Sequence, residues 1–288
     1  MIHGLYTPPA PLCWFVKCLW YWEGAPQTHA KEQLMPNGEM AIIFNLRDEP
    51  MRIYNPRDLT RCETYGLAAI SGPRTRPFVI DTAQEDRVFG IEFAPGGSFP
   101  FFRAPASEFS DIEVSLECLW RGSVNEIRER LLASPDIESM FAMTQSILMR
   151  LVVRPLELHP GIAFALHRFC SRPQTTVASV VDRIGLSHRR FVQLFHDQVG
   201  LTPKSFSRVQ RFQRVLRRVH RATNIDWTGV ALDCGYYDQA HFNHDFQQFS
   251  GFTPTIYAAR ATEHLNHVPF EPPEPPHTPV LTSARIEE

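Results

Sequence analysis

A pattern of helix starts and stops occurs twice in the last third of this chain, and it constrains the fold more than any other feature. In the first copy, Val177, Val180, Val181 and Ile184 recur at helical spacing within Thr176–Ile184. Gly185 ends that helix, Leu186 is an apolar plug, and Ser187 is placed to cap a second helix, His188–Val199. About 50 residues later the order returns. Asp226 caps a helix bearing Val230 and Ala231, Gly235 ends it, and Asp238 caps a helix running to about Phe249. Each second helix is followed by glycine, one apolar residue and Thr-Pro: Gly200-Leu201-Thr202-Pro203 and Gly251-Phe252-Thr253-Pro254. A short helix, a tight glycine turn and a second helix are the parts of a helix-turn-helix, whose second helix lies in the DNA major groove. One such pattern arises often by chance, and two in register seldom do.

Charge supports the same region. The chain of 288 residues has a net charge of −2, yet residues 161–262 hold 13 lysines and arginines against 6 acids. Residues 1–160 hold 15 against 20, and residues 263–288 hold 1 against 5. A basic segment between acidic ones concentrates polyanions, because phosphate neutralisation releases condensed counterions. No apolar run approaches the roughly 20 residues of a membrane span, and the N-terminus lacks a signal-peptide pattern, so a cytoplasmic protein without a membrane partner is expected. The six cysteines are scattered without metal-type pairing and read as reduced, mostly buried thiols, with no metal and no cofactor.

The chain is long enough for two domains. Short β-type runs at Met40–Leu46, Met51–Asn55, Ala68–Gly72, Pro77–Asp81 and Val88–Phe93, punctuated by glycine, proline and asparagine, predict a small sandwich or barrel. Helical stripes follow, Val124, Ile127 and Leu131 and then Ile137 to Leu151, which either pack on the barrel or pair with another copy. The aromatic segment Trp14, Phe15, Trp20, Tyr21 and Trp22 either lines a pocket or fills the core. The predicted class is therefore α+β with two domains: residues 1–155 a β-barrel or sandwich with closing helices, and residues 156–262 an all-α domain of two helix-turn-helix units joined by a linker helix. Residues 263–288, rich in proline and acid, are expected to be a disordered tail.

The two units, VVDRIGLSHRRFVQLFHDQVGLTPKSFSRVQRF and ALDCGYYDQAHFNHDFQQFSGFTPTIYAAR, resemble the AraC/XylS family of transcriptional regulators. Val181 and Val215 depart from that pattern, standing where the family usually has alanine. FAPGGSFPFF and PASEFSDIEVSLECLW resemble an uncharacterised N-terminal domain found in a subset of the family. The resemblance implies duplex DNA as a partner, a homodimer, contact with RNA polymerase in an activating role, and a small-molecule effector of unknown identity in the N-terminal domain.

Helical geometry selects the residues that would face DNA. With Phe191, Leu194 and Phe195 inward, Arg189, Val192, Gln193 and His196 point outward on the first reading helix. With Phe242, Phe246 and Phe249 inward, Gln239, Ala240, Asn243 and His244 do so on the second. These eight are expected at base edges, and Ser187, Arg190, Lys204, Arg208, Arg214, Arg218 and Thr253 at phosphates. A linker helix, Lys204–Arg221, would hold the reading helices about 34 Å apart, one turn of B-DNA. Arg211, on its basic face, is either a phosphate contact or structural. The rival class is an enzyme, a thiol alkyltransferase of the DNA-repair type using Cys13 or Cys18 beside Lys17. No Ser/His/Asp, HExxH, paired-carboxylate or P-loop constellation accompanies it, and a non-enzyme is expected.

Overall fold

The computed structural model describes residues 2–24, 29–120 and 122–271. Strands β1 (Ile2–Tyr6), β2 (Val16–Glu23), β3 (Lys31–Leu34), β4 (Ala41–Asn45), β5 (Met51–Asn55), β6 (Asp58–Tyr65), β7 (Ala68–Ser71), β8 (Phe78–Asp81), β9 (Arg87–Phe93) and β10 (Glu113–Ser115) come first. Helices α1 (Ser123–Ala133), α2 (Ile137–Arg150), α3 (Pro160–Ser171), α4 (Val177–Ile184), α5 (His188–Val199), α6 (Pro203–Val219), α7 (Trp227–Asp233), α8 (Gln239–Ser250) and α9 (Pro254–Arg260) follow, and β11 (His267–Pro269) comes last. One sheet runs β1-β2-β9-β4-β7-β10 and the other β11-β3-β8-β5-β6. Every pairing is antiparallel.

Alternation divides the first sheet between two environments. Leu19, Tyr21, Ile42, Phe44, Phe89 and Ile91 enter the N-terminal core, which also takes in Ile127 and Leu131 of α1 and Phe141 and Leu148 of α2. The α2 stripe therefore packs within its own chain, which settles one of the two readings left open for it. The intervening residues Cys18, Trp20, Trp22, Ala41, Ile43 and Glu92 face a cavity between the sheets.

The second core gathers α3 to α9 around fully buried Phe191, Phe195, Phe206, Phe212, Phe242 and Phe246. Both predicted units are present, with Thr176, Ser187, Asp226 and Asp238 each accepting a backbone N–H at a helix start. Gly185 and Gly235, between the helices of each pair, have φ of +68° and +87°, a left-handed conformation that favours glycine at such turns. The linker helix stops at Val219, short of the expected Arg221, which has itself a positive φ of 61°.

The tail expected to be disordered differs in its first part. His267–Pro269 pairs with β3, and Val268 is fully buried in the helical core. The remainder, residues 272–288, lies outside the described residues. The cysteines also differ from expectation. All six are free, but Cys62, Cys118 and Cys170 are exposed and only Cys18 and Cys234 are buried.

Two cores joined in one chain meet at several points. Gln210 and Gln213 of α6 donate to the carbonyls of Asn37 (3.1 Å) and Pro36 (2.9 Å), and Met35 belongs to the helical core. Gln33 donates to the Ser250 carbonyl at the end of α8. The end of α5 packs on the short turn Ala106–Phe109. Gly72, at the end of β7, allows the chain before that contact to pass closely: a Cβ there would lie 1.7 Å from the Phe109 carbonyl oxygen. Gly72→Ala must therefore push backbone against backbone, with an expected cost of about 1–3 kcal/mol, measured as a lowered denaturant midpoint.

Candidate nucleic-acid interface and a cavity between the sheets

Both reading helices present polar, open N-terminal halves. On α5, Arg189 and Gln193 are exposed while Val192 and His196 are half-buried. On α8, Gln239, Ala240, Asn243 and His244 are all exposed. The C-terminal end of α5 is closed off, with Gln198 and Val199 buried and Gly200 against Pro73. What remains free is the end that enters a groove in this class of motif.

The basic residues sort into two groups that a helical wheel does not distinguish. Arg190 and Lys204 are exposed and form no ion pair among the described residues. Arg218 pairs with Asp233 at 2.9 Å, but both side chains are well exposed, so the pair holds the guanidinium weakly. Ser187 and Thr253 are exposed N-caps, accepting from the N–H groups of Arg190 and Ile256.

Arg208 and Arg214 depart from the expected phosphate role because each is committed inside the protein. Arg208 donates to both carboxylate oxygens of Asp245 (2.6 and 3.3 Å) and to Gln248 (2.6 Å), and lies over the Phe249 ring. Arg214 donates to the Phe169 and Cys170 carbonyls at the end of α3, satisfying groups a helix terminus leaves open. Arg211 stands over Tyr236 with Asp245 at 3.9 Å, the structural alternative. Asp245 is the residue the sequence reading missed. It sits at 1% exposure between Phe242 and Phe246, and a carboxylate on the inward stripe of a helix was the available signal.

The cavity has a volume of about 580 Å³. Strand register lays one polar row across its floor, since Cys18 pairs with Glu92, Glu92 with Ala41, Ala41 with Ser71, and Ser71 with Glu113. Beside it runs Trp20, whose indole lies over Gly90; a Cβ on that glycine would be 1.9 Å from the ring. The predicted aromatic segment is thus divided: Trp20 and Trp22 line the cavity, Phe15 and Tyr21 are core, and Trp14 is exposed. The segment Glu263–His267 closes one side. Burial, with Glu92 adjacent, pushes the Cys18 thiol up to about 12, so it is held protonated, the opposite of an activated nucleophile.

A helix-turn-helix domain family matches residues 180–260, and a domain of unknown function, DUF6597, matches residues 5–115. The chain resembles the AraC/XylS family. Over 135 residues it is 25% identical to the arabinose operon regulatory protein of Escherichia coli (strain K12), which covers 43% of this chain and 46% of that one. The chain thus spans less than half the length of that AraC/XylS relative. Among solved structures, a probable AraC family transcriptional regulator from Rhodopseudomonas palustris CGA009 is 23% identical, covering 36% of this chain and 98% of that chain, with a TM-score of 0.32. ToxT from Vibrio cholerae covers 90% of this chain and 97% of its own at 9% identity, with a TM-score of 0.44. No helix among the described residues is long and apolar enough to cross a membrane.

The pairing of Arg208 with a buried acid has a measurable consequence. Arg208→Ala leaves Asp245 buried without its main partner and should cost about 2–4 kcal/mol in denaturant unfolding, whereas Lys204→Ala should stay within about 0.5 kcal/mol.

Proposed function

We propose that this chain is an AraC/XylS-type, sequence-specific DNA-binding transcriptional regulator that reads two successive major grooves. The observation that carries this reading is the pair of helix-turn-helix units on either side of α6, with Arg189 and Gln193 of α5 and Gln239, Ala240, Asn243 and His244 of α8 open to solvent. Arg189 has the fork geometry for guanine O6 and N7, Gln193 and Asn243 suit adenine, and Val192 suits a thymine methyl. Gln239, Ala240, His196 and His244 complete the two reading faces. Arg190, Lys204 and Arg218, with Ser187 and Thr253, are assigned to phosphates, which position without specifying.

The remaining parts of the reading come from the family. The N-terminal domain holds an effector in its cavity, the protein works in the cytoplasm as a homodimer, and its contact with RNA polymerase activates transcription. Ligand in the cavity would shift a population rather than push a lever, by favouring one docking of the two domains over another. The α6 glutamines that hold residues 36 and 37 are the element both sites share.

Measured on a selected duplex, Arg189→Ala should relax preference at one base pair, a loss of about 1–3 kcal/mol in discrimination, with little change in salt dependence. Lys204→Ala should weaken binding to all sequences alike and flatten the log K against log salt slope by about one unit. Identical behaviour of the two variants would contradict the division into readers and anchors.

A further inference from the structure

The chemistry of the cavity goes further than its existence. Resting on the reading of this cavity as an effector site, we propose that it takes an organic cation: an ammonium group held at Glu39 and Glu92, with an aromatic or apolar body laid on Trp20.

Charge is the first ground. Glu32, Glu39, Glu92, Glu113 and Glu263 all line the cavity, against a single guanidinium, Arg74. Arg74 is already paired with Glu113 and stacked on Phe78 at 4.3 Å. Glu32 is hydrogen-bonded with His29 (2.6 Å) and His267 (2.8 Å), and Ser71 donates to Glu113 (3.0 Å). Glu39 and Glu92 stand apart, because they face each other and have one half-exposed lysine, Lys17, between them at 2.7 and 3.1 Å. Burial and the adjacent Glu92 carboxylate hold Glu39 well above the usual carboxylate range. Burial acts to raise Glu92 as well, yet its bond with Glu39 and the Lys17 ammonium keep it below that range. With one proton held on Glu39, the two carboxylates and Lys17 sum to zero, so an ammonium group enters by displacing that proton to solvent, leaving two carboxylates against two cations.

Shape is the second ground. Gly90 is what allows the Trp20 indole to lie flat over the sheet, next in register to Cys18 and Glu92. An indole face beside a carboxylate pair is the arrangement that attracts ammonium groups through the ring quadrupole. The third ground lies at the far end of the polar row. Arg74, nine-tenths buried in the cavity wall, has an Nε with no acceptor among the described residues. An acceptor oxygen on the ligand body would satisfy it, since a buried donor left unpaired is costly.

The test uses the full chain without DNA and three probes sharing one body: 4-methoxyphenethylammonium, 2-(4-methoxyphenyl)ethanol and 3-(4-methoxyphenyl)propionate. Binding is followed by tryptophan fluorescence and calorimetry. The ammonium compound should bind at least about tenfold more tightly than the alcohol, and the carboxylate least. Glu92→Gln and Glu39→Gln should each remove most of that preference, and Trp20→Leu should weaken the ammonium probe by several-fold, about the size of a cation–π contact. The wild-type ranking alone decides the matter if a variant fails to fold. Equal binding of alcohol and ammonium, tighter binding of the carboxylate, or no saturation by the ammonium probe at millimolar concentration overturns the proposal. A separate arm asks whether the ammonium probe changes duplex affinity. A probe that binds as ranked but leaves duplex affinity unchanged contradicts the effector reading and leaves the cation site standing.

Discussion

Helix α6 is the constraint on which the rest of the molecule depends. Phe206, Val209, Phe212, Val215, Leu216 and Val219 are buried along its length, so neither helix-turn-helix unit has a core without it. Its buried glutamines are equally committed, because Gln210 and Gln213 close hydrogen bonds to Asn37 and Pro36 and to Asn266 near the end of the described chain. A buried amide left without its partner is expensive, so these bonds fix the rotation of α6 relative to the N-terminal sheets. One helix therefore sets the distance between two reading helices and the position of both relative to the cavity.

The few acids of the helical region explain why its surface is basic. Asp226 and Asp238 cap helices, and Asp245 is buried under Arg208. Only Asp182, Asp197 and Asp233 remain of the six in residues 161–262, and Asp233 meets Arg218 at the surface. Arginines outside these pairs have little to neutralise them, and a polyanion is the partner that such a surface favours. The cavity on the other side of α6 has the opposite sign, lined by Glu32, Glu39, Glu92, Glu113 and Glu263. Sequence composition records this only as an asymmetry between segments.

What could be read from sequence was what is local. The caps at Thr176, Ser187, Asp226 and Asp238 and the turns at Gly185 and Gly235 act within four residues, so their pattern names both units. The five strands with clear apolar runs were equally visible, but β2 was not, because its aromatics point to both faces: Tyr21 to the core, Trp20 and Trp22 to the cavity. The polar row of Cys18, Glu92, Ser71 and Glu113 depends on register between strands far apart in sequence, which no periodicity reveals. Strand β11 was hidden for a similar reason, as it exists through pairing with β3 rather than through its own propensity. The roles of Arg208 and Arg214 were hidden too, since their partners lie on other helices.

The central claim is geometric: two helices, fixed by α6, meet the same face of one duplex in neighbouring grooves. Selection of bound duplexes from a random pool by the full chain at physiological salt tests it most directly. The account predicts two enriched boxes separated, centre to centre, by one helical turn, about 10–10.5 base pairs. Enrichment of a single box, boxes at variable spacing, or no enrichment at all would contradict it.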